Sequence, residues 1–251
     1  MKCLSHMKEN FYLRFLPDFV NPMNFVPKFK GVLFDLDGTL IDTLNDIADA
    51  VNRTLEKREF PTHSIFAYRE FIGDGTKQLI IRALPKKHRI KEMITSCLEE
   101  FMQDYACNFN IKSKPYKGIP ALLNGLIQKD ITIAILSNKP DALTRKCVFS
   151  ILEKWKFDVV FGQRDHLPPK PDPAGAFEIA AKIGIDPKNI LFAGDSGVDM
   201  KTAAAAGMYP VGVSWGFRSL SELKENGAQL IVNNPADLLE FICSPQNSVT
   251  S

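Results

Sequence analysis

The chain carries the stretch GVLFDLDGTL at residues 31–40, in which an apolar run is followed by two carboxylates one residue apart. A short apolar run that ends in Asp-x-Asp-Gly predicts a buried strand that breaks into a tight turn. Alternate residues of an extended chain point the same way, so Asp35 and Asp37 can converge on one spot. Adjacent carboxylates repel each other, and they therefore indicate a cation, a proton or a ligand at this position. A dication together with a phosphoryl group would satisfy both.

The composition is that of an ordinary globular protein. The chain has 251 residues, of which 45% are hydrophobic and 24% charged, and its net charge is +2. These values are typical of globular domains, and so small a charge does not indicate nucleic-acid binding. The five cysteines are scattered and suggest neither a disulfide framework nor a zinc site. The sequence contains no run of 18 apolar residues, so we do not expect a membrane span. We expect a cytoplasmic monomer or homodimer that binds neither nucleic acids nor membranes.

Apolar strands alternate with amphipathic helices from residue 31 onwards, which predicts an α/β fold with a doubly wound parallel sheet covered on both faces. The alternation stops for about 70 residues that contain only helical patterns. We therefore expect a core domain formed by residues 29–43 and 115–243. A small all-helical domain, residues 44–114, would be inserted into it.

The two ends of the chain do not follow this pattern. Residues 1–28 carry aromatic side chains among charges and prolines, and Met7 and Met23 leave the natural start open. An aromatic arm that packs on the body or on a neighbouring subunit is the alternative. Residues 244–251 are polar and predict a disordered tail.

Polar residues stand at four positions where this fold would place a ligand, because open α/β sheets bind ligands at the carboxyl ends of their strands. Each segment alone has an ordinary interpretation as a turn, a helix cap or an exposed lysine. All four in this order are hard to attribute to coincidence. They are Asp35-Leu36-Asp37-Gly38-Thr39, Ser137-Asn138-Lys139, Lys170-Pro171-Asp172-Pro173 and Gly194-Asp195-Ser196-Gly197-Val198-Asp199.

Together these segments resemble the motifs of the haloacid dehalogenase superfamily of phosphatases and phosphotransferases, over residues 29 to 242. The resemblance implies a Rossmann-like core with a helical cap inserted after the first motif. Within the superfamily the chain is most similar to the phosphoglycolate phosphatases, through Gly73-Asp74-Gly75-Thr76 and Trp215-Gly216-Phe217-Arg218. The dehalogenases of the superfamily lack the second aspartate, so Asp37 favours phosphoryl chemistry.

The resemblance also implies a role for each motif residue. Asp35 would attack the phosphoryl group and form an aspartyl phosphate, while Asp37 would protonate the leaving group and then activate water. Mg²⁺ would be held by Asp35, the backbone carbonyl of Asp37 and Asp195, with Asp199 holding a metal-bound water or orienting the loop. The phosphate would be bound by Gly38, Thr39, Ser137, Asn138 and Lys170. Substrate selectivity would be set by Gly73, Asp74, Gly75, Lys77 and Arg218.

The most similar family makes 2-phosphoglycolate the expected substrate, but the sequence leaves alternatives open. Pyrophosphate, a nucleoside monophosphate or a sugar phosphate could be the substrate of the same chemistry. A sugar phosphomutase with this type of cap is a further alternative. A catalytically silent scaffold on the same fold is disfavoured, because every catalytic position is filled by a competent residue.

Overall fold

A computed structural model of the chain describes residues 29–244. The predictions for residues 1–28 and for residues 245–251 of the tail lie outside the described residues. In chain order the strands are β1 Gly31–Phe34, β2 Ile41–Asp42, β3 Lys114–Pro115, β4 Thr132–Pro140, β5 Val159–Gln163, β6 Ile190–Gly194, β7 Tyr209–Val213 and β8 Leu230–Val232.

In chain order the helices are α1 Leu44–Glu56, α2 Ile65–Phe71, α3 Thr76–Ala83, α4 Lys91–Asn108, α5 Ile119–Gln128, α6 Asp141–Ile151, α7 Ala174–Ile183, α8 Gly197–Ala205, α9 Leu220–Glu225 and α10 Pro235–Cys243. From β3 onwards the helices alternate with the strands, whereas β2 follows β1 without a helix and α1–α4 lie between β2 and β3. Within the described part of the chain, no helix is long and apolar enough to cross a membrane. The cytoplasmic location and the monomeric or dimeric state stay predictions.

Six strands form one parallel sheet in the order β5-β4-β1-β6-β7-β8, which confirms the predicted α/β fold. The central strand β1 pairs with β4 on one side and β6 on the other. Its side chains alternate between two apolar clusters, with Val32 and Phe34 in one and Leu33 in the other. All of its residues are buried because helices cover both faces of the sheet. The strand therefore presents polar groups only where it ends.

Between the short strands β2 and β3, residues 43–113 form only helices and turns, as the sequence predicts. The two strands pair antiparallel, with Ile41 opposite Pro115 and Asp42 opposite Lys114. The chain thus leaves the α/β part and returns to it at neighbouring points. The four helices α1–α4 pack on one another, and α3 also contacts β4.

Two strands differ from their predicted bounds. The sequence predicts that the second core strand ends at Leu136, but β4 continues to Pro140, and its pairing with β5 shifts register between these residues. This irregularity keeps residues 137–139 extended at the edge where ligands bind. The sequence predicts that the next strand begins at Phe157, but β5 begins at Val159. The backbone N–H of Asp158 donates to the carbonyl of Ile133, and the carboxylate of Asp158 accepts from the N–H of Ile133, just before the strand pairing starts.

Candidate active site

Three carboxylates meet where β1 and β6 end. Asp35 follows β1, and its backbone N–H donates to the carbonyl of Ala193 at 3.0 Å. Asp195 follows β6, and Asp199 lies one turn further on, in α8. One oxygen from each of these three buried side chains lies within 4.8 Å of the other two. The structure therefore brings together the carboxylates that the sequence assigns to the metal site.

The turn after β1 is fitted closely around Asp195. Gly38 has a φ of 87°, a conformation that favours glycine, and a Cβ atom at this position would run into the Asp195 carboxylate. The Thr39 hydroxyl donates to Asp195 Oδ1 at 3.2 Å, and the backbone N–H of Phe217 donates to Oδ2 at 2.8 Å. Both donors are neutral. Asp195 is thus oriented, but no basic side chain among residues 29–244 forms an ion pair with it.

Lys170 bridges the other two carboxylates. Its Nζ donates to Asp35 Oδ1 at 2.9 Å and to Asp199 Oδ1 at 2.6 Å. Burial alone would lower the pKa of Lys170, but the charges of Asp199 and Asp35 raise it, so the side chain is a cation. The second oxygen of Asp199 accepts from the backbone N–H and the hydroxyl of Ser196. Both oxygens of Asp199 are therefore engaged, which favours a role in placing Lys170 and the loop.

The electrostatics of this cluster fit a divalent cation. Burial, followed by the charge of Asp199, raises the pKa of Asp35 to about 7, although Lys170 opposes the shift. Burial and the charge of Asp35 likewise raise the pKa of Asp195. Four carboxylates lie here, from Asp35, Asp37, Asp195 and Asp199, and within residues 29–244 the ammonium groups that pair with them are those of Lys139 and Lys170. A dication with oxygen ligands would compensate the charge that these carboxylates carry when they are ionised.

Ser137 and Asn138 lie beside this cluster in the extended end of β4. The Ser137 hydroxyl accepts from the backbone N–H of Lys139 at 3.2 Å. The Asn138 side chain exchanges two hydrogen bonds with the backbone of Lys170 and donates a third to the carbonyl of Gly73. Asn138 therefore joins the loop that carries Lys170 to the helical segment that lies between β2 and β3. Because its side chain is occupied, the backbone N–H is the group of Asn138 that we would assign to the phosphate, and this role stays a prediction.

A cavity opens above the carboxylates, between the sheet edge and the helical segment. Its floor contains Asp35, Asp37, Asp195, Ser137 and Asn138, which the sequence places in the site. Apolar side chains of the helical segment form the opposite wall; they are Ile47, Ile72, Leu79 and Phe101. Reactive groups at the bottom of an apolar cavity are the usual arrangement of a small-molecule site.

Comparison with known proteins identifies the family. The sequence-family model of the haloacid dehalogenase-like hydrolases matches residues 32–213 of the chain. This protein belongs to that family. A phosphoglycolate phosphatase of Pseudomonas putida is 31% identical, over 87% of this chain and 82% of its own. The phosphoglycolate phosphatase of Mannheimia succiniciproducens is 32% identical, over 86% of this chain and 99% of its own.

A solved structure from Haemophilus somnus, described as a predicted phosphoglycolate phosphatase, superposes with a TM-score of 0.79. It is 27% identical, and the match covers 85% of this chain and 97% of that one. These findings confirm the predicted superfamily and the predicted enzyme class, a phosphoric monoester hydrolase.

In this haloacid dehalogenase-like hydrolase, the residues predicted to set selectivity divide into two groups. Gly73, Gly75 and Arg218 line the cavity. Asp74 instead forms an ion pair with Arg82, and Lys77 is exposed. The structure thus brings three of the five to the cavity wall.

The guanidinium of Arg218 is engaged by the helical segment. It donates to the carbonyl of Ile72 at 2.7 Å and to the carboxylate of Glu70 at 2.8 Å. The side chain therefore fixes the position of the loop that precedes α3. A guanidinium is a planar donor fork that suits a substrate carboxylate, but these contacts use part of that fork.

The sequence interpretation missed two site residues, Lys139 and Tyr105. Lys139 is buried, and its ammonium group contacts Asp37 and the hydroxyl of Tyr105. Burial opposes the charge of Lys139, but Asp37 and then Tyr105 raise its pKa well above the ordinary value. The sequence marks Lys139 only as part of the polar segment Ser137-Asn138-Lys139 at a strand end, and no local signal marks Tyr105.

Proposed function

We propose that this hydrolase is a Mg²⁺-dependent phosphatase that cleaves 2-phosphoglycolate through an aspartyl-phosphate intermediate. The observation that carries the proposal is the buried group of Asp35, Asp195 and Asp199, of which Asp35 and Asp195 line the cavity and Asp35 is paired with the buried Lys170. The choice of substrate is supported by the phosphoglycolate phosphatases among the relatives.

The metal would be held by Asp35, Asp195 and the backbone carbonyl of Asp37. Mg²⁺ is a hard cation that takes oxygen ligands and keeps several of its waters, which suits a site made of carboxylates. When bound, it supplies positive charge that offsets the phosphate oxygens and the carboxylates around them. Asp199 stands behind these ligands and acts through Lys170 and Ser196, the groups that it contacts.

Asp35 carries the covalent step. Oδ1 accepts from Lys170, whereas Oδ2 has no hydrogen-bond partner among residues 29–244 and is the oxygen suited to attack. Oδ2 forms a bond to phosphorus while the bond from phosphorus to the leaving alkoxide breaks, and protonated Asp37 gives that oxygen its proton. Water then attacks the aspartyl phosphate. Asp37 takes a proton from it, and inorganic phosphate leaves, which restores both side chains.

The helical segment, residues 44–114, would act as a cap domain on the core formed by residues 29–43 and 115–243. Its apolar side chains face the cluster across the cavity and exclude water from it. Exclusion of water strengthens the attraction between Lys170 and the phosphate, because the local dielectric constant falls. Gly73, Gly75 and Arg218 border the space left for the leaving group, and there they would set substrate selectivity.

The test is replacement of Asp35 by Asn, assayed with and without Mg²⁺ on 2-phosphoglycolate and on 4-nitrophenyl phosphate. We expect the wild type to release phosphate only with the metal, and D35N to lose all measurable turnover of both substrates. D186N, which changes an exposed aspartate, should behave as the wild type. Turnover by D35N would refute the covalent role of Asp35.

A panel of small phosphates tests the substrate separately. It contains pyrophosphate, a nucleoside monophosphate and a sugar phosphate beside 2-phosphoglycolate. A kcat/KM for 2-phosphoglycolate no higher than for the others would remove the substrate assignment and leave the chemistry. Formation of an isomeric sugar phosphate in place of free phosphate would identify a mutase.

A further inference from the structure

Lys139, which has no role in the predicted machinery, forms a buried ion pair with Asp37. Lys139 Nζ donates to Asp37 Oδ1 at 2.7 Å and to Oδ2 at 3.0 Å. The exposed fractions of the two side chains are 5% and 11%. A lysine in contact with both oxygens of a carboxylate holds each of them near one nitrogen and so fixes the direction in which the carboxylate points. Lys139 therefore restricts Asp37 more than a single hydrogen bond could.

The rest of the network holds Lys139 itself. The hydroxyl of Tyr105 accepts from Lys139 Nζ at 3.0 Å, and the ammonium group lies 4.7 Å from the centre of the tyrosine ring. The ring is stacked on Phe101 with centroids 5.4 Å apart. The hydroxyl of Thr43 donates to Asp37 Oδ1 at 2.7 Å. The core strand β4, the helix α4 and the turn that leads into α1 thus all meet at one carboxylate.

We propose that Lys139 is a positioning residue that holds the Asp37 carboxylate in the orientation in which it exchanges protons during turnover. The inference rests on the proposed function, in which Asp37 is the acid and base. Proton transfer requires the carboxylate within hydrogen-bond reach of the leaving oxygen and then of the attacking water. Lys139 contacts both oxygens and Thr43 contacts Oδ1, so the two residues together restrain the direction and the rotation of the carboxylate. Tyr105 keeps Lys139 in place.

The dependence of the rate on the leaving group distinguishes this role from a purely structural one. An alkoxide is a poor leaving group that needs a proton, whereas 4-nitrophenolate leaves without one. We expect K139M to lower kcat/KM for 2-phosphoglycolate and ethyl phosphate by about 100-fold, the lower end of the contribution of a general acid. For 4-nitrophenyl phosphate we expect a change of at most about threefold. K146M is the matched control, because Lys146 also contacts α4 but not Asp37.

A double-mutant cycle shows whether Lys139 acts through Asp37. In the D37N background, K139M should lower kcat/KM for ethyl phosphate by no more than about threefold, because the group that it positions is already gone. Y105F keeps the ring and removes the hydroxyl, so it should show the same leaving-group pattern as K139M with a smaller amplitude. Y105F also serves as the test if K139M does not fold. K139R should recover part of the lost rate, because it keeps the charge.

Three outcomes overturn the inference. Equal losses on aryl and alkyl phosphates would mean a general structural defect. Additive effects of K139M and D37N would mean that Lys139 acts independently of Asp37. A loss confined to 2-phosphoglycolate, with ethyl phosphate spared, would make Lys139 a binding group for the substrate carboxylate. If the wild type hydrolyses none of the three phosphates, the proposed function fails instead, and that result is separate from these.

Discussion

At the scale of single residues, the site depends on a glycine whose missing Cβ atom leaves room for the Asp195 carboxylate. Gly38 combines a φ of 87° with a position where a Cβ would meet the Asp195 carboxylate. Gly207 has a similar φ of 68°, but no atom lies within 4 Å of the place where its Cβ would stand. The two glycines therefore separate the cost of the backbone conformation from the cost of the collision.

We expect G207A to lower the free energy of unfolding by about 1–2 kcal/mol, the cost of a left-handed conformation for an L-residue. G38A carries the same cost and also displaces Asp195, so we expect a larger loss of stability and loss of turnover. Urea denaturation and the phosphatase assay measure the two effects. Equal destabilisation by both variants, with activity retained in G38A, would show that the contact with Asp195 is unimportant.

The residues of the site differ in how far the sequence could predict them. Asp35 and Asp195 each follow an apolar run directly, and parallel strands end at the same edge, so their proximity follows from the fold. Lys139 contacts Asp37 across 102 positions and Tyr105 across 34. The contact with Tyr105 depends on how α4 lies over the sheet edge, and the contact with Asp37 depends on the extended end of β4; local patterns determine neither. The extension of β4 to Pro140 is of the same kind, because it depends on its neighbour β5.

At the scale of secondary-structure elements, Asp46 secures the return of the helical segment to the core. Its buried carboxylate accepts from the backbone N–H groups of Lys112 and Ser113 and from the Ser113 hydroxyl. Asp46 lies in α1, and the two amides immediately precede β3. One side chain thus joins the first helix of the segment to the last residues before the core resumes.

We expect D46A to expose the amides of Lys112 and Ser113, because they lose their acceptor, and to leave the sheet unchanged. Hydrogen exchange at these two amides should become at least about tenfold faster, a rise that corresponds to about 1.4 kcal/mol of local stability. D49N is the matched control, because Asp49 accepts from the side-chain ammonium of Lys112 and not from its amide. Faster exchange throughout β1 as well would indicate global destabilisation instead.

At the scale of the whole molecule, the site and the chain differ in the sign of their charge. The protein carries a net charge of +2, yet the carboxylates around Asp35 outnumber the ammonium groups that contact them by two. Buried charges of one sign destabilise a folded protein, and a ligand that binds only the folded state stabilises it. A divalent cation should therefore stabilise the entire fold.

We expect Mg²⁺ at 100 times its dissociation constant to add about 2.7 kcal/mol to the free energy of unfolding, and EDTA to reverse the effect. For a chain of this size the gain corresponds to a rise in Tm of about 5–10 °C, measurable by thermal denaturation. D195N should lose this rise, whereas D186N should keep it. An equal response of wild type and D195N would place the stabilising ion elsewhere.

The antiparallel pairing of β2 with β3 should allow the helical segment to be replaced by another one. Because Ile41 lies opposite Pro115, the ends of the segment stay adjacent whatever its length. The entropy of closing such a loop grows only slowly with the number of residues in it. A foreign helical segment spliced between Asp42 and Lys114 should therefore leave the register of the sheet intact and retain the carboxylates beneath. The same carboxylates would then face a different helical segment, and the enzyme should accept a different range of substrates.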